Sequence, residues 1–170
     1  MKIQSLRDLF QIELWYAYDC ERKLVEKGLP TMIESSTSPE LRSALQQHLA
    51  ETQRHVSRLE RIFRSTGIEP DTKGNDVLKS IMSAAKDSAS HIEESPLRDA
   101  ALIANGNEVE HYEIALYGTL VAFARQLGLA SAVGPLEETL NEEKAADAKL
   151  TQLAQMVINT NASQTRAASA

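Results

Sequence analysis

This sequence predicts an all-α protein: a bundle of four long helices in which a long crossover carries a short fifth helix. Three observations predict it. Ala, Leu, Glu and polar helix formers dominate the 170 residues, long valine or isoleucine runs are absent, and only 7 Gly and 5 Pro interrupt the chain. Apolar residues recur at three- and four-residue steps along four long stretches. Serine followed by proline, at Ser38-Pro39 and Ser95-Pro96, marks two helix starts. A chain of this length forms one domain with a sizeable core. The bundle is expected over 1–158. The tail over 159–170 is rich in Ser, Thr, Asn and Ala without periodicity, and is expected to be disordered.

Ser5 with Asp8 three residues on resembles a capping box and opens the first helix. Leu6, Phe10, Leu14, Ala17, Glu21 and Leu24 share its face. Gly28 and Pro30 interrupt the helix, but Val25, Leu29 and Met32 keep the period, so a kinked helix to about residue 35 is expected. The second helix runs over 39–66 and Gly67 stops it. Leu41, Leu45, Leu49, Thr52, Val56, Leu59 and Phe63 form its stripe, with His48, Glu51 and His55 along the flank. A loop over 69–75 leads to a short crossover helix over 77–89, capped by Asn75 or Asp76.

The third long helix runs over 96–127 and ends at Gly128. Ile103, Gly106, Glu110, Glu113, Tyr117 and Leu120 fall on one face, apolar at both ends and carboxylate in the middle. The fourth covers 135–158, with an irregular first turn over 130–134. Leu136, Leu140, Glu143, Asp147, Leu150 and Leu153 share its inner face, and Glu142 points away more than Glu143 does.

Composition excludes several function classes. The formal net charge is −6 and no Lys/Arg cluster is present, which argues against nucleic-acid binding. Cys20 is the single cysteine, so no internal disulfide and no thiolate zinc site can form; it reads as a small buried residue. The first eight residues are too charged for a secretory signal, and no apolar run approaches the roughly 20 residues of a membrane span. A soluble cytoplasmic protein, with no membrane partner, is the expectation.

Each long helix carries a glutamate near mid-length: Glu21, Glu51, Glu110 with Glu113, and Glu143. Short connections make the first and second helices antiparallel, and likewise the third and fourth, so these acids meet at similar depth. Five carboxylates in a dry core repel strongly. Two divalent cations neutralise most of that charge, and a carboxylate-rich set suits iron or manganese better than zinc. His48 and His55 flank Glu51 and join the candidate ligands, as does Asp147. Asp147 has the competing reading of an exposed charge paired with Lys144 or Lys149. Tyr18, three before Glu21, and Tyr117, four after Glu113, are placed to donate hydrogen bonds to those acids. The competing reading for the whole set is a metal-free interaction protein, not an enzyme, whose buried polar layer fixes helix register.

Ala101-Leu102-Ile103-Ala104, Glu110-His111-Tyr112-Glu113-Ile114-Ala115, Tyr117-Gly118-Thr119-Leu120 and Glu138-Thr139-Leu140 with Glu142-Glu143-Lys144 resemble the YciF-like bacterial stress proteins of the ferritin-like superfamily. So do Glu21-Arg22-Lys23-Leu24 and His48-Leu49 with Glu51-Thr52. The similarity runs from Leu6 to Leu153. It implies a rubrerythrin-like, ferritin-like bundle, a homodimer, and a carboxylate metal site at Glu21, Glu51, Glu110, Glu113 and Glu143. The coincidence of inward glutamates on four helices adds the expectation of a role in stress defence toward a small oxidant such as peroxide or dioxygen. One departure stands out. Ferritin-like di-iron proteins carry Glu-x-x-His on two helices. Here Arg54 and Ala146 stand three after Glu51 and Glu143, with His55 and Asp147 one residue later. A DNA-coating miniferritin would need a basic tail, and the last twelve residues hold only Arg166.

Overall fold

The computed structural model describes residues 2–72, 74–93 and 95–165. All its regular elements are helical: α1 Leu6–Lys23, α2 Leu29–Ser35, α3 Pro39–Thr66, α4 Asp76–Ser90, α5 Pro96–Gln126, α6 Ala130–Leu153 and α7 Asn159–Thr165. Leu24–Gly28 and Ala154–Ile158 are π-helical turns that join α1 to α2 and α6 to α7.

Local chemistry sets most boundaries. Ser5 Oγ accepts from Asp8 N at 3.1 Å, Ser38 Oγ from Leu41 N at 3.2 Å and Asn75 Oδ1 from Leu78 N at 3.0 Å. Each satisfies an orphan donor of the first turn. Gly67 closes α3 at φ 67°, a left-handed conformation open to glycine. The bend expected at Gly28 and Pro30 takes the form of a widened turn just before the proline. Pro30 cannot donate to Glu26, and its ring would crowd that carbonyl. The extra residue carries the axis past it.

Three expectations need correction. Ser95 makes no capping bond; it donates instead to Glu93 O at 3.0 Å. The neighbouring acid Asp99 is buried and accepts from Thr37 N and Ser38 N, both at 2.8 Å. It therefore fastens the α2–α3 turn to the start of α5. The last long helix starts at Ala130, not Pro135, and includes the proline at the cost of one backbone bond. The tail expected to be structureless is helical over Asn159–Thr165, and this turn packs on α5; residues 166–170 lie outside the described residues.

The long helices run antiparallel to their neighbours. Arg7 near the start of α1 donates to Thr66 O at the end of α3 at 2.7 Å. Arg125 at the end of α5 pairs with Glu137 early in α6, and Asn107 in the first half of α5 donates to Thr151 Oγ1 late in α6 at 3.0 Å. No helix among the described residues is long and apolar enough to cross a membrane.

The core is divided along the bundle axis. One apolar cluster gathers Phe10, Leu14, Leu59, Phe63, Leu120 and Leu136. A second gathers Leu24, Leu41, Leu45, Leu78, Ile103 and Leu150. Between them, where Glu21, His55, Glu113 and Glu143 fall along their helices, the interior is polar.

Candidate metal centre

Six side chains from four helices form this layer: Glu21 from α1, His48 and His55 from α3, Glu110 and Glu113 from α5, and Glu143 from α6. Glu21, His55, Glu113 and Glu143 are fully buried, and Glu110 and His48 are 3% and 8% exposed. Among the described residues, two groups of three donors lie with their ligand atoms within 4.8 Å of one another. One is Glu21, His55 and Glu143. The other is His48, Glu110 and Glu143. Glu143 belongs to both, so its carboxylate lies between two histidine-containing corners.

The His55 corner is held from behind. Its Nε2 lies 2.8 Å from Glu142 Oε2. The buried Arg58 guanidinium grips Glu142, Glu138 at 2.7 Å and Thr139 Oγ1 at 3.1 Å. When the ring is neutral, the proton stays on Nε2 for Glu142, and the Nδ1 lone pair is left between Glu143 Oε1 at 2.9 Å and Glu21 Oε1 at 3.4 Å. These two contacts lack hydrogen-bond alignment, because Nδ1 has no hydrogen-bond partner. Tyr117 donates to Glu21 Oε1 across the bundle and keeps its phenol buried.

The His48 corner is built more loosely. His48 Nε2 lies 3.1 Å from Glu110 Oε1, and Nδ1 lies 3.9 Å from Glu51 Oε2. No second carboxylate grips the back of this ring. Glu113 sits beside both corners with both oxygens unpartnered, next to the buried Cys20.

Electrostatics follow from the crowding. Burial holds Glu21, Glu113 and Glu143 above the usual carboxylate range, and the neighbouring carboxylates push Glu113 further up. Burial pulls the His55 imidazolium down, but Glu143 and Glu21 outweigh it and raise the group to about 11. Burial likewise opposes charge on His48, and Glu110 and Glu51 overcome it to hold it well above its ordinary value. Burial thus favours protonation of these buried acids, while the carboxylates favour protonation of the two histidines, so the groups titrate as a coupled set.

Of the eight residues singled out in the sequence, six are brought together and two are not. Glu51 points to the rim of α3, where it accepts from Gln47 at 3.1 Å and lies 3.8 Å from Arg54. It precedes Thr52 by one residue, a rotation of about 100° away from the buried row His48, Thr52, His55, Leu59. The histidines read as flank residues are the centre of that row. Asp147 lies at the α5–α6 seam, 3.2 Å from the exposed His111, away from both corners. Tyr18 reaches Glu60 at 3.4 Å rather than Glu21, and Tyr117 serves Glu21 rather than Glu113. Glu142, expected to point away from the core, instead turns to His55 and Arg58. Arg58 was not among the expected site residues, because its partners stand on another helix and leave no local signal.

Comparison with known proteins places this architecture. Residues 5–163 match a family described as a domain of unknown function, DUF892. Protein YciF of Escherichia coli strain K12 is 35% identical over 163 residues, covering 95% of this chain and 98% of that one. The crystal structure of the E. coli stress protein YciF superposes with a TM-score of 0.87 over 92% of this chain and 99% of the other, at 35% identity. YcfI from Rhodopseudomonas palustris, provisionally described as a structural protein, superposes at 0.85 with 40% identity, over 88% and 95% of the two chains. The polar layer therefore sits in a helical scaffold shared with these relatives, and the chain belongs to the YciF-like DUF892 family.

Proposed function

We propose that the protein holds two divalent ions, iron or manganese, in its polar layer and acts in stress defence on a small oxidant such as peroxide or dioxygen. The observation that carries this reading is the set of orphaned atoms. Glu21 Oε2, Glu110 Oε2, both oxygens of Glu113 and of Glu143, and Nδ1 of His48 and His55 are buried without a hydrogen-bond partner. An unmade bond at such a group costs about 1–3 kcal/mol, and eight of them in one layer form an unusual concentration. The donor set fits a pair of divalent ions. Four carboxylates balance two 2+ charges, with both histidines neutral. Ligands about 2.1 Å from one ion lie about 3 Å apart when adjacent, the range of the His55–Glu143, His55–Glu21 and His48–Glu110 contacts. Oxygen-rich ligation with two imidazoles favours iron or manganese.

In this reading Glu21 and His55 hold one ion, His48 and Glu110 the other, and Glu143 serves both, with Glu113 as the remaining carboxylate. Glu142 keeps the proton of His55 on Nε2, and Tyr117 keeps Glu21 turned inward. The apolar clusters above and below exclude water. The bound metals supply redox and Lewis-acid chemistry. Metal analysis after growth with added iron or manganese tests this: about two equivalents per chain are expected, and less than about a tenth of an equivalent contradicts it.

A second reading has its own support. His55 between Glu21 and Glu143 is an internal counter-ion, so the layer has a metal-free charge state. A purely structural layer predicts that Glu→Gln changes at Glu21, Glu113 and Glu143 leave stability equal or raised whether or not metal is added. The homodimer is also a proposal, for which the exposed Leu9 and Val77 offer apolar surface; light scattering at micromolar concentration decides it.

A further inference from the structure

We propose that the cleft between α3 and α6 is the entrance by which divalent cations reach the polar layer, and that Glu51 and the outward nitrogen of His48 are the first ligands they meet. The proposal rests on the cation reading above and assigns a role to a residue that reading leaves outside the cluster.

The cleft has a volume of about 320 Å³ and is lined in part by Ala44, Ala145, Ala146, Glu51, His48 and Lys149. The three alanines leave the gap: larger side chains would close the α3–α6 seam there. Water occupies about 30 Å³ per molecule, so an ion with six waters needs roughly 180 Å³ and fits. A second groove, lined among others by Tyr18, Glu60, Phe63 and Gly67, touches none of the six clustered residues. The His55 corner is plugged by Arg58, Glu138 and Glu142.

His48 connects the cleft to the interior. It is 8% exposed, its Nε2 faces Glu110, and its Nδ1 is buried without a hydrogen-bond partner. Glu51 Oε2 lies 3.9 Å from that nitrogen. This is too long for a hydrogen bond. Two ligands of one ion, each about 2.1 Å from it, lie between about 3 and 4.2 Å apart. One imidazole therefore belongs to an outer pair with Glu51 and to the inner corner with Glu110 and Glu143. The net charge of −6 draws cations toward the molecule, and the Lys149 ammonium at the cleft opposes them.

The experiment is stopped-flow uptake of Mn²⁺ by the full metal-free chain, read by release from a metallochromic indicator, with stoichiometry from equilibrium dialysis. Glu51→Gln and Ala146→Phe are expected to keep two ions per chain while slowing uptake at least about tenfold, and Lys149→Glu to speed it. Glu51→Gln changes one exposed-edge atom, so it carries the test if Ala146→Phe fails to fold. Wild-type uptake rates in Glu51→Gln overturn the entrance, as does a drop to one ion, which would make Glu51 an inner ligand. A wild-type chain that takes up no Mn²⁺ overturns the cation reading itself, a result distinguishable from the other two.

Discussion

The two corners of the polar layer use the same kinds of ligand and share one carboxylate, yet they are supported differently. His55 is fully buried, and Glu142, Arg58 and Thr139 form a chain of contacts behind it. His48 has an open cleft behind it and one acid at 3.9 Å. The first corner is fixed by the charges behind it, and the second is held mainly by what lies in front. A bundle that must both seal ions and admit them needs this asymmetry. On the proposed cation reading, orientation would come from the closed corner and access from the open one.

The largest expected effect erases the comparison. Glu143→Ala removes the carboxylate common to both corners, so Mn²⁺ affinity should fall at least about a hundredfold at both sites. Isothermal titration would show it, and retention of one tight site would mean that the corners do not share a ligand.

Acidity gives the next effect. The folded pKa of His55 lies above its ordinary 6.5, at about 11. Its contribution to stability is complete below 6.5 and is lost as pH rises toward 11. Glu21, Glu113 and Glu143, also raised, lose their protonated-form advantage in the same direction as pH climbs above 4.5. The thermal midpoint of the metal-free protein should therefore fall steadily from pH 7 to pH 10. Added Mn²⁺ should oppose the fall, because ligation needs the deprotonated groups. A flat profile without metal would remove the electrostatic basis of the account.

Arg58→Met separates the corners. It leaves the partly exposed Glu142 without its clamp and should cost about 2 kcal/mol in urea denaturation, the range of a hydrogen bond to a charged group. It should weaken only the ion at the His55 corner. Equal weakening of both ions would show that the corners are rigidly coupled.

The smallest effect is expected at Asp147→Asn. Its partner His111 is 70% exposed in its side chain, so stability should change by less than about 0.5 kcal/mol, with metal stoichiometry unaltered. Loss of an ion in this variant would restore Asp147 as a ligand.

What the chain revealed of itself depended on how local the cause was. Ser38, Gly67 and Gly128 act within a few residues, and the helix limits they imply are the ones observed. Inward glutamates Glu21, Glu110, Glu113 and Glu143 were legible because each replaces an apolar residue in a strict helical period. The α3 face was legible only in part. Leu41, Leu45, Thr52, Leu59 and Phe63 of the expected stripe are buried, but His48 and His55 take the inward places that Leu49 and Val56 were expected to fill, one residue around the helix. Which turns inward is set by contact with α5 and α6, information absent from any window of α3. The same holds for Asn159–Thr165, whose polar composition gives no period and whose helix packs on α5. Arg58 and Glu142 meet only after the bundle has assembled.

The most direct test is anomalous scattering at the manganese edge from crystals of the chain grown with Mn²⁺. The account predicts two peaks per chain, one against Glu21 and His55 and one against His48 and Glu110, both touching Glu143. An empty layer under saturating Mn²⁺, with these carboxylates still turned toward one another, would contradict it.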